Sequence, residues 1–320
     1  MNKSFEKIPL GTINFITVLS GIFTIVSSII SIIAFFKLES AVFGWVCFSI
    51  GLFLFNIVLL IRIKKYRFLA KQRMEVSSEN FHKMLHSIRD LYFDLLHEYK
   101  KGDLTTSVLN KYCKTELSNI LENLCEVFES FTGRTVSASI KLVCYNRTDE
   151  NEDVNSEDVQ LITFCRSTKS PSHRGDYERN QQKPILLSDN TDFLEIISTK
   201  NRKDYFYKSN LLEYSEKKRA EGSSYKNSNE NWSDQYKSTI VVPIRIDFKK
   251  LYHLRDSKSP FHIIGFLCVD SEYTDAFTEA QEIYNVDLAK SYADIIYIIL
   301  SKYRYYQFKI YNNNKKETNV

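Results

Sequence analysis

The sequence is poor in the two residues that most often interrupt regular structure, with 9 glycines and 5 prolines among 320 residues. This scarcity excludes collagen-like chains and low-complexity chains that are rich in proline and glycine. Apolar residues make up 43% of the chain and charged residues 26%. This balance predicts a folded protein that is neither disordered nor fully embedded in a membrane.

Catalytic signatures are missing as well. The sequence contains no GxxxxGK[ST] phosphate loop, no GxGxxG, no HExxH and no GxSxG motif. None of the six cysteines forms a CxxC pair, and we expect buried, reduced thiols. Asp270, Glu272 and Asp275 end an apolar strand, and we interpret them as turn residues and not as a cation site. We therefore predict that the chain is not an enzyme and holds no cofactor and no metal ion.

Charged residues are absent from two long runs, residues 8–36 and 40–61. Because a bilayer core takes about 20 apolar residues in a helix, the runs predict two transmembrane helices, at about 10–34 and 41–61. A signal peptide is the competing interpretation of the first run. That run is too long for a signal peptide, and no A-x-A cleavage site follows it.

A basic block follows the second run. Its six members, with no acidic residue among them, are Arg62, Lys64, Lys65, Arg67, Lys71 and Arg73. Since basic residues collect on the cytoplasmic side of membrane helices, we predict a multi-pass protein of the bacterial inner membrane with both termini in the cytoplasm. The lipid bilayer is then a partner of the basic block. Because the basic excess is confined to this block, we expect no direct nucleic-acid binding.

Small and hydroxyl-bearing residues recur at helical spacing in both runs. They are Thr17, Ser20, Gly21, Thr24, Ser27, Ser28 and Ser31 in the first run, and Gly44, Cys47 and Gly51 in the second, where Asn56 adds an amide. Such residues allow close helix packing, and in an oligomer the same faces would line a pore. The sequence leaves open whether these faces pack or form a pore, and whether the chain forms a homo-oligomer.

The segment 62–102 is predicted to be a connector helix, since neither glycine nor proline occurs in it before Gly102. Its apolar stripe consists of Phe81, Met84, Ile88, Leu91 and Leu95. The stripe predicts either a short coiled coil or a helix that packs on the following domain. His82 and His86 have the spacing of a metal-binding pair, but without an evident acidic or cysteine partner on that face we interpret them as solvated surface.

Residues 103–306 show the patterns of a mixed α+β domain, followed by a polar tail at 307–320. A helix closed by Gly133 precedes strands at 136–145 and 159–165; further strands at 236–246 and 263–271 lead to a long helix at 278–306. The candidate inward residues of that helix are Ile283, Val286, Leu288, Ala289, Tyr292, Ile295, Ile296, Ile299 and Leu300. The order of elements predicts one antiparallel sheet with flanking helices.

This domain resembles a GAF domain. The resemblance is carried by residues 236–244 (YKSTIVVPI), residues 264–270 (IGFLCVD), the turn that contains Phe277 and the helix at 287–300. It covers about residues 105–302 and implies a pocket between the sheet and the variable middle helices, where GAF domains bind small molecules or partners. The family's cyclic-nucleotide signature and a bilin-attachment cysteine are missing from this sequence, so the ligand is undefined.

The whole plan is a membrane hairpin followed by a GAF-like sensory domain. It resembles the small two-transmembrane effectors of bacterial antiphage systems, including those paired with retron reverse transcriptases or nucleotide-signalling synthases. The resemblance implies a toxin of antiviral defence, in which a cytoplasmic sensor makes the hairpin permeabilise the inner membrane. The alternative is a non-catalytic, membrane-tethered signalling adaptor or scaffold. In both cases we expect a protein partner, a protein–nucleic-acid partner or a small-molecule signal on the sensory domain.

Overall fold

The computed structural model describes residues 41–145, 159–168, 184–197, 204–247 and 261–317, with isolated helical positions at 25, 26, 29 and 32. The chain forms two compact units, and the boundary between them falls between Glu75 and Val76. Helix α1 (Ala41–Lys101) is 61 residues long and crosses that boundary. The remaining elements described below belong to the second unit.

The predicted membrane hairpin is not confirmed. Its first helix, at about 10–34, lies outside the described residues except for the isolated positions. Its second helix, 41–61, is the first third of α1 and continues without a break into the basic residues 62–73. In the part of the chain that the structure describes, no helix has the length and apolar character needed to cross a membrane. The predicted multi-pass location in the inner membrane is therefore wrong, because the absence of charge over 41–61 does not by itself make this helix apolar enough to span a membrane.

The second half of α1 packs on the domain that follows it. Met84, Leu91 and Leu95 are buried in the main hydrophobic core, and Ile88 packs against that core. Phe81, which the sequence pattern placed in the same stripe, is 48% exposed. Of the two interpretations of the stripe, the structure therefore shows the second: the helix packs on the domain that follows it.

Helix α2 (Thr106–Thr132) has clear signals at both ends. Thr105 precedes it, and the Thr105 hydroxyl accepts the backbone N–H of Val108 at 3.3 Å. Gly133 ends it in the left-handed conformation with φ 66°, as the sequence predicted, and its N–H donates to the Glu129 carbonyl at 2.8 Å. Between these caps, the apolar face of α2 is buried against the sheet.

Six described strands form one antiparallel sheet. They are β1 (Ser137–Tyr145), β2 (Val159–Arg166), β3 (Ile185–Leu186), β4 (Phe206–Lys208), β5 (Ser238–Asp247) and β6 (Phe261–Ser271). Their order across the sheet is β3-β2-β1-β6-β5-β4, and each neighbouring pair runs antiparallel. This confirms the predicted antiparallel sheet, including the hairpin between β1 and β2.

Four more helices flank the sheet. They are α3 (Thr191–Ile197), α4 (Leu211–Ala220), α5 (Trp232–Gln235) and α6 (Glu282–Glu317). Helix α6 extends well beyond its predicted end, and its predicted inward residues are buried or half-buried, with one exception. Ile283, in the first turn of the helix, is 78% exposed.

Gly265 allows the two central strands to approach closely. A Cβ atom at this position would lie 2.5 Å from the backbone oxygen of Lys141 on β1, which is too close for any other residue without movement of the backbone. The pairing of Leu142 with Gly265 lies at this point. The glycine in the 264–270 motif is therefore required by strand packing.

Candidate functional site

The two faces of the sheet are covered by different kinds of structure. One face, here called the α6 face, packs against α2, α6 and the part of α1 after Val76. The other, here called the α3 face, is covered by α3, α4 and the segment 223–236. Because side chains alternate along a strand, the same strands supply both faces.

Polar side chains lie at the centre of the α3 face. Ser139 on β1 pairs with Cys268 on β6, and both side chains are buried. One pair further along β6, Asp270 lies opposite Thr239 of β5, and the Thr239 hydroxyl donates to Asp270 Oδ1 at 2.6 Å. Lys141 lies two residues after Ser139 on the same face. The centre of a buried sheet face thus carries hydroxyls, a thiol and charged groups where an apolar core would be expected.

Asp192 brings a further charge to this face from α3. The side chain is buried, and its Oδ1 accepts the backbone N–H of Phe193 at 3.0 Å. Burial raises the pKa of Asp192 to about 7; the Phe193 N–H and the positive charge of Lys141 oppose this shift, and Asp270 adds to it. Ionising this carboxyl in the folded protein costs on the order of 4 kcal/mol relative to an exposed aspartate. Such a cost is typical of a functional site.

The charges of this face converge on Cys268. Burial raises the pKa of its thiol; Lys141 and Arg166 lower it, while Asp270 and Asp192 raise it further. Because the net shift is upward, Cys268 stays a neutral thiol at neutral pH and is a poor nucleophile. Among the described residues, no group of three or more His, Cys, Asp or Glu side chains could hold a metal ion. The arrangement is suited to binding a polar molecule by hydrogen bonds and charge.

Aromatic rings cover the polar centre. The rings of Tyr225 and Trp232 meet edge to face with centroids 4.9 Å apart, and Trp232 lies 6.3 Å from Tyr236. Asn227 donates to the hydroxyls of both Tyr225 and Tyr236. The pKa of Tyr225 is raised well above its ordinary value, first by burial and then by the negative charge of Asp192.

The segment 223–236 is attached to the start of α3 by four hydrogen bonds, which we call the latch. Asn190 Oδ1 accepts from the backbone N–H and the hydroxyl of Ser228, at 3.1 and 3.0 Å. Thr191 N–H donates to the Lys226 carbonyl at 3.0 Å, and Lys226 N–H donates to the Thr191 hydroxyl at 2.7 Å. The latch holds the aromatic cover and Asp192 together as one structural feature.

Glu195 connects α3 to α4 at the rim of this site. It accepts a hydrogen bond from the Tyr214 hydroxyl, and the Lys218 ammonium lies 3.3 Å from its carboxylate. Lys208 Nζ lies 4.4 Å from the centre of the Tyr214 ring. Burial, and then this bond to Glu195, raise the pKa of Tyr214. Both edges of the cover over the α3 face are therefore held by side-chain contacts.

The residues that the sequence singled out lie elsewhere. Thr17, Ser20, Gly21, Thr24, Ser27, Ser28 and Ser31 lie outside the described residues. Gly44, Gly51 and Asn56 lie in α1, and Asn56 Nδ2 donates to the Leu52 carbonyl of its own helix at 2.8 Å. The six basic residues lie in α1 before the unit boundary, with Lys71 Nζ 3.6 Å from Glu75. Packing or pore formation by these faces stays a prediction.

The sequence argument missed the residues of the α3 face. Asp192 lies in a short helix in which apolar neighbours dominate the sequence pattern. Lys141 is one polar position in a strand of alternating polar and apolar residues. Asp270 was interpreted as a turn residue, whereas it is the tenth residue of β6 and bonds Thr239. A usable signal did exist: Asp270 is a charged residue inside a strand of the motif, and Ser139 and Lys141 are polar residues inside the strand predicted at 136–145.

Comparisons with known proteins give structural matches alone. No protein-family model matches the chain, and no curated protein matches it. A type II free methionine-R-sulfoxide reductase from Thermoplasma acidophilum is 14% identical with a TM-score of 0.34, and the match covers 60% of this chain and 96% of that one. A GAF domain/HD domain protein from Geobacter sulfurreducens is 10% identical with a TM-score of 0.35, with coverages of 62% and 99%. A free methionine-R-sulfoxide reductase from Neisseria meningitidis, solved with its substrate, is 14% identical with a TM-score of 0.31, with coverages of 62% and 90%.

The antiparallel sheet with flanking helices resembles a GAF-like α+β domain, as the strand motifs predicted. The prediction that the chain is not an enzyme was drawn from missing catalytic motifs, and it is wrong as a deduction, because the similar structures include free methionine-R-sulfoxide reductases. Similarity at these scores identifies neither a ligand nor an activity for this chain. The predicted antiphage and retron roles are supported by none of these matches.

Proposed function

We propose that residues 76–317 act as a ligand-binding sensory domain that takes a small polar molecule on the α3 face of the sheet. The observation that carries the proposal is Asp192, a buried carboxyl whose pKa is raised to about 7 beside Lys141 and Asp270. A buried charge destabilises a protein unless a partner compensates it. A ligand that brings a donor or a positive group to Asp192 would supply this compensation.

The surroundings define the ligand class further. Asp192 and Asp270 favour hydrogen-bond donors, and Lys141 and Arg166 favour acceptors, so one small molecule with both kinds of group fits best. Phe193 and Phe266, with ring centroids 4.7 Å apart and planes at 46°, add apolar surface beside these charges. Lys141 Nζ lies 5.9 Å from the Phe193 ring centre, which places the charge and the apolar surface side by side.

Strand β6 offers a route from the ligand to the helices. Its residues Cys268 and Asp270 face the α3 side, and Leu267 and Val269, which alternate with them, are buried in the core of the α6 face. On that face, α1 and α6 are joined by the Tyr92 hydroxyl, which donates to the Ile298 carbonyl at 3.3 Å. A small displacement of β6 on ligand binding would reach both long helices through this packed core.

The membrane-effector role is not part of this proposal. It requires a hairpin that spans a membrane, and none of the described helices is suited to that. The antiphage function that rested on it stays a prediction from the overall plan. What is retained is a small-molecule signal that acts on the sensory domain.

A thermal-shift screen of small polar compounds would test the proposal, with separate sets of ammonium, carboxylate, zwitterionic and neutral compounds. We expect compounds with both donor and acceptor groups to raise the melting temperature of the wild type, and Asp192→Asn and Lys141→Met to abolish the effect. Asp189→Asn is the matched control, since Asp189 is exposed and lies three residues before Asp192. Hits that stabilise all four proteins equally would contradict this site assignment.

A further inference from the structure

Two imidazoles meet on the surface of α1, far along the sequence from the residues of the α3 face. His82 and His86 are one helical turn apart, with ring centroids 4.3 Å apart and ring planes at 79°. Their Nε2 atoms are joined by a 2.9 Å hydrogen bond, so one ring donates through Nε2 and would carry its proton on Nδ1 when both Nε2 atoms bind an ion. His82 is exposed and His86 is half-buried, so the pair is accessible from solvent. Two nitrogen atoms of a kind that binds metal ions are thus held side by side on α1.

The separation of the two nitrogens selects a coordination geometry. Metal–imidazole bonds are about 2.0–2.1 Å long, so an ion bound to both Nε2 atoms would have an N–metal–N angle of about 90°. A tetrahedral ion would need the same nitrogens about 3.4 Å apart. The observed 2.9 Å therefore fits two adjacent positions of a tetragonal or octahedral ion, the geometry that Cu²⁺ and Ni²⁺ prefer.

The charged side chains near the pair balance one another. Glu79 lies three residues before His82, and Asp90 lies four residues after His86, so each is one turn away on the same side of the helix. The sequence argument overlooked these two acids. The nearby cations are engaged with them: Lys83 Nζ lies 2.8 Å from Glu79, and Arg89 lies 2.8 Å from Asp90. The approach of a positive ion is therefore not opposed by an uncompensated basic patch at this turn.

We propose that His82 and His86 form a two-imidazole chelate for a divalent transition-metal ion with tetragonal preference. The expected order of affinity is Cu²⁺ above Ni²⁺ and Zn²⁺, from both the Irving–Williams order and the angle at the ion. No third described side chain converges on the pair, so water fills the remaining positions. The ion would join successive turns of α1 just where Met84 packs into the core, and binding therefore stabilises this part of the helix.

The test uses the full chain, purified without a histidine tag, and titrated with Cu²⁺, Ni²⁺ and Zn²⁺ in a calorimeter. We expect one tight Cu²⁺ per chain, with an affinity that falls at least tenfold in His82→Gln and in His86→Gln. Electron paramagnetic resonance of the Cu²⁺ form should show two nitrogen ligands in the wild type and one in each single variant. Glutamine keeps the helix propensity, and circular dichroism verifies that α1 is intact.

His97→Gln is the matched control. His97 lies on the same helix, is exposed, and stacks on Phe93 at 6.2 Å, with no second imidazole beside it. This variant should bind Cu²⁺ as tightly as the wild type. The proposal is overturned by equal Cu²⁺ affinity in the wild type and the His82→Gln/His86→Gln double variant. Tighter binding of Zn²⁺ than of Cu²⁺ would overturn the assigned geometry.

Discussion

The two faces of the sheet differ in what they bury, although the same strands build both. The α6 face buries apolar side chains under long helices, and large rings such as Phe128 and Phe277 are fully enclosed there. The α3 face buries Asp192, Ser139 and Cys268 under short helices and a segment held by hydrogen bonds. The difference is consistent with the proposed function, in which the α3 face binds a ligand at a cost to stability.

Strand β6 shows this division within five residues. Leu267 and Val269 point to the α6 face and are completely buried in its core. Cys268, between them, points to the opposite face, where four charged side chains influence its pKa. Because the strand period is two, a change at one residue of β6 alters one face directly and the other through the backbone.

The largest expected effect is the loss of stability when a substitution creates a cavity in the α6 face. Phe128 is fully buried and meets Phe277 edge to face, with centroids 5.6 Å apart. Phe128→Ala should lower the free energy of unfolding by about 3–5 kcal/mol. Phe308→Ala is the control, since Phe308 is 63% exposed, and it should change stability by less than about 0.5 kcal/mol. Urea unfolding measures both, and similar losses would contradict the assignment of stability to the α6 face.

A smaller loss is expected where the two central strands meet. The added methyl group of Gly265→Ala would press on the Lys141 backbone oxygen and push β6 from β1, which should cost about 1–3 kcal/mol. Since Lys141 also serves the α3 face, ligand binding should weaken in the same variant. Gly51→Ala is the control, because among described residues no heavy atom lies within 4 Å of the added Cβ. The melting temperatures of the two variants are compared by thermal unfolding. Equal melting temperatures would contradict the claim that the close approach of β6 to β1 at Gly265 stabilises the fold.

The smallest loss of stability is expected at the latch. Asn190→Ala removes the acceptor of two hydrogen bonds from Ser228 and should lower global stability by about 1–2 kcal/mol. Its main effect should be local: trypsin should cleave after Lys226 several times faster, because the segment 223–236 opens without global unfolding. Asn119→Ala, at an exposed position of α2, should leave the cleavage rate unchanged. Unaltered cleavage in Asn190→Ala would show that the latch does not hold the cover.

The sequence allowed the sheet to be predicted because its strands alternate strongly and carry a family-like motif. The end of α2 at Gly133 was equally predictable, since a glycine there permits a positive φ. Asp192 could not be predicted as a site residue, because its burial depends on α3 folding over strands that are distant in sequence. The predicted membrane location was wrong because, among the described residues, no charge-free run forms a helix with the length and apolar character needed to cross a membrane. Hydrophobic patterns therefore predicted helices and strands, whereas the burial of Asp192 depends on contacts between residues that are distant in the sequence.

The central claim is that Asp192 is kept on the α3 face at a cost to stability. Its pKa is raised to about 7 in the folded protein, from an ordinary value near 3.8. Between these values the folded protein holds a proton that the unfolded chain has lost, so stability falls as the pH rises from about 4 to about 7. Asparagine keeps the shape and the bond to the Phe193 N–H but carries no charge.

The most direct test is therefore the free energy of unfolding of Asp192→Asn and wild type, measured by urea unfolding in the absence of ligand at pH 4.5 and at pH 8. We predict that the variant is at least as stable as the wild type at pH 4.5 and that its advantage grows by about 1–3 kcal/mol at pH 8. A variant that is less stable than the wild type at both pH values would contradict the account, because Asp192 would then be a structural residue of the α3 face.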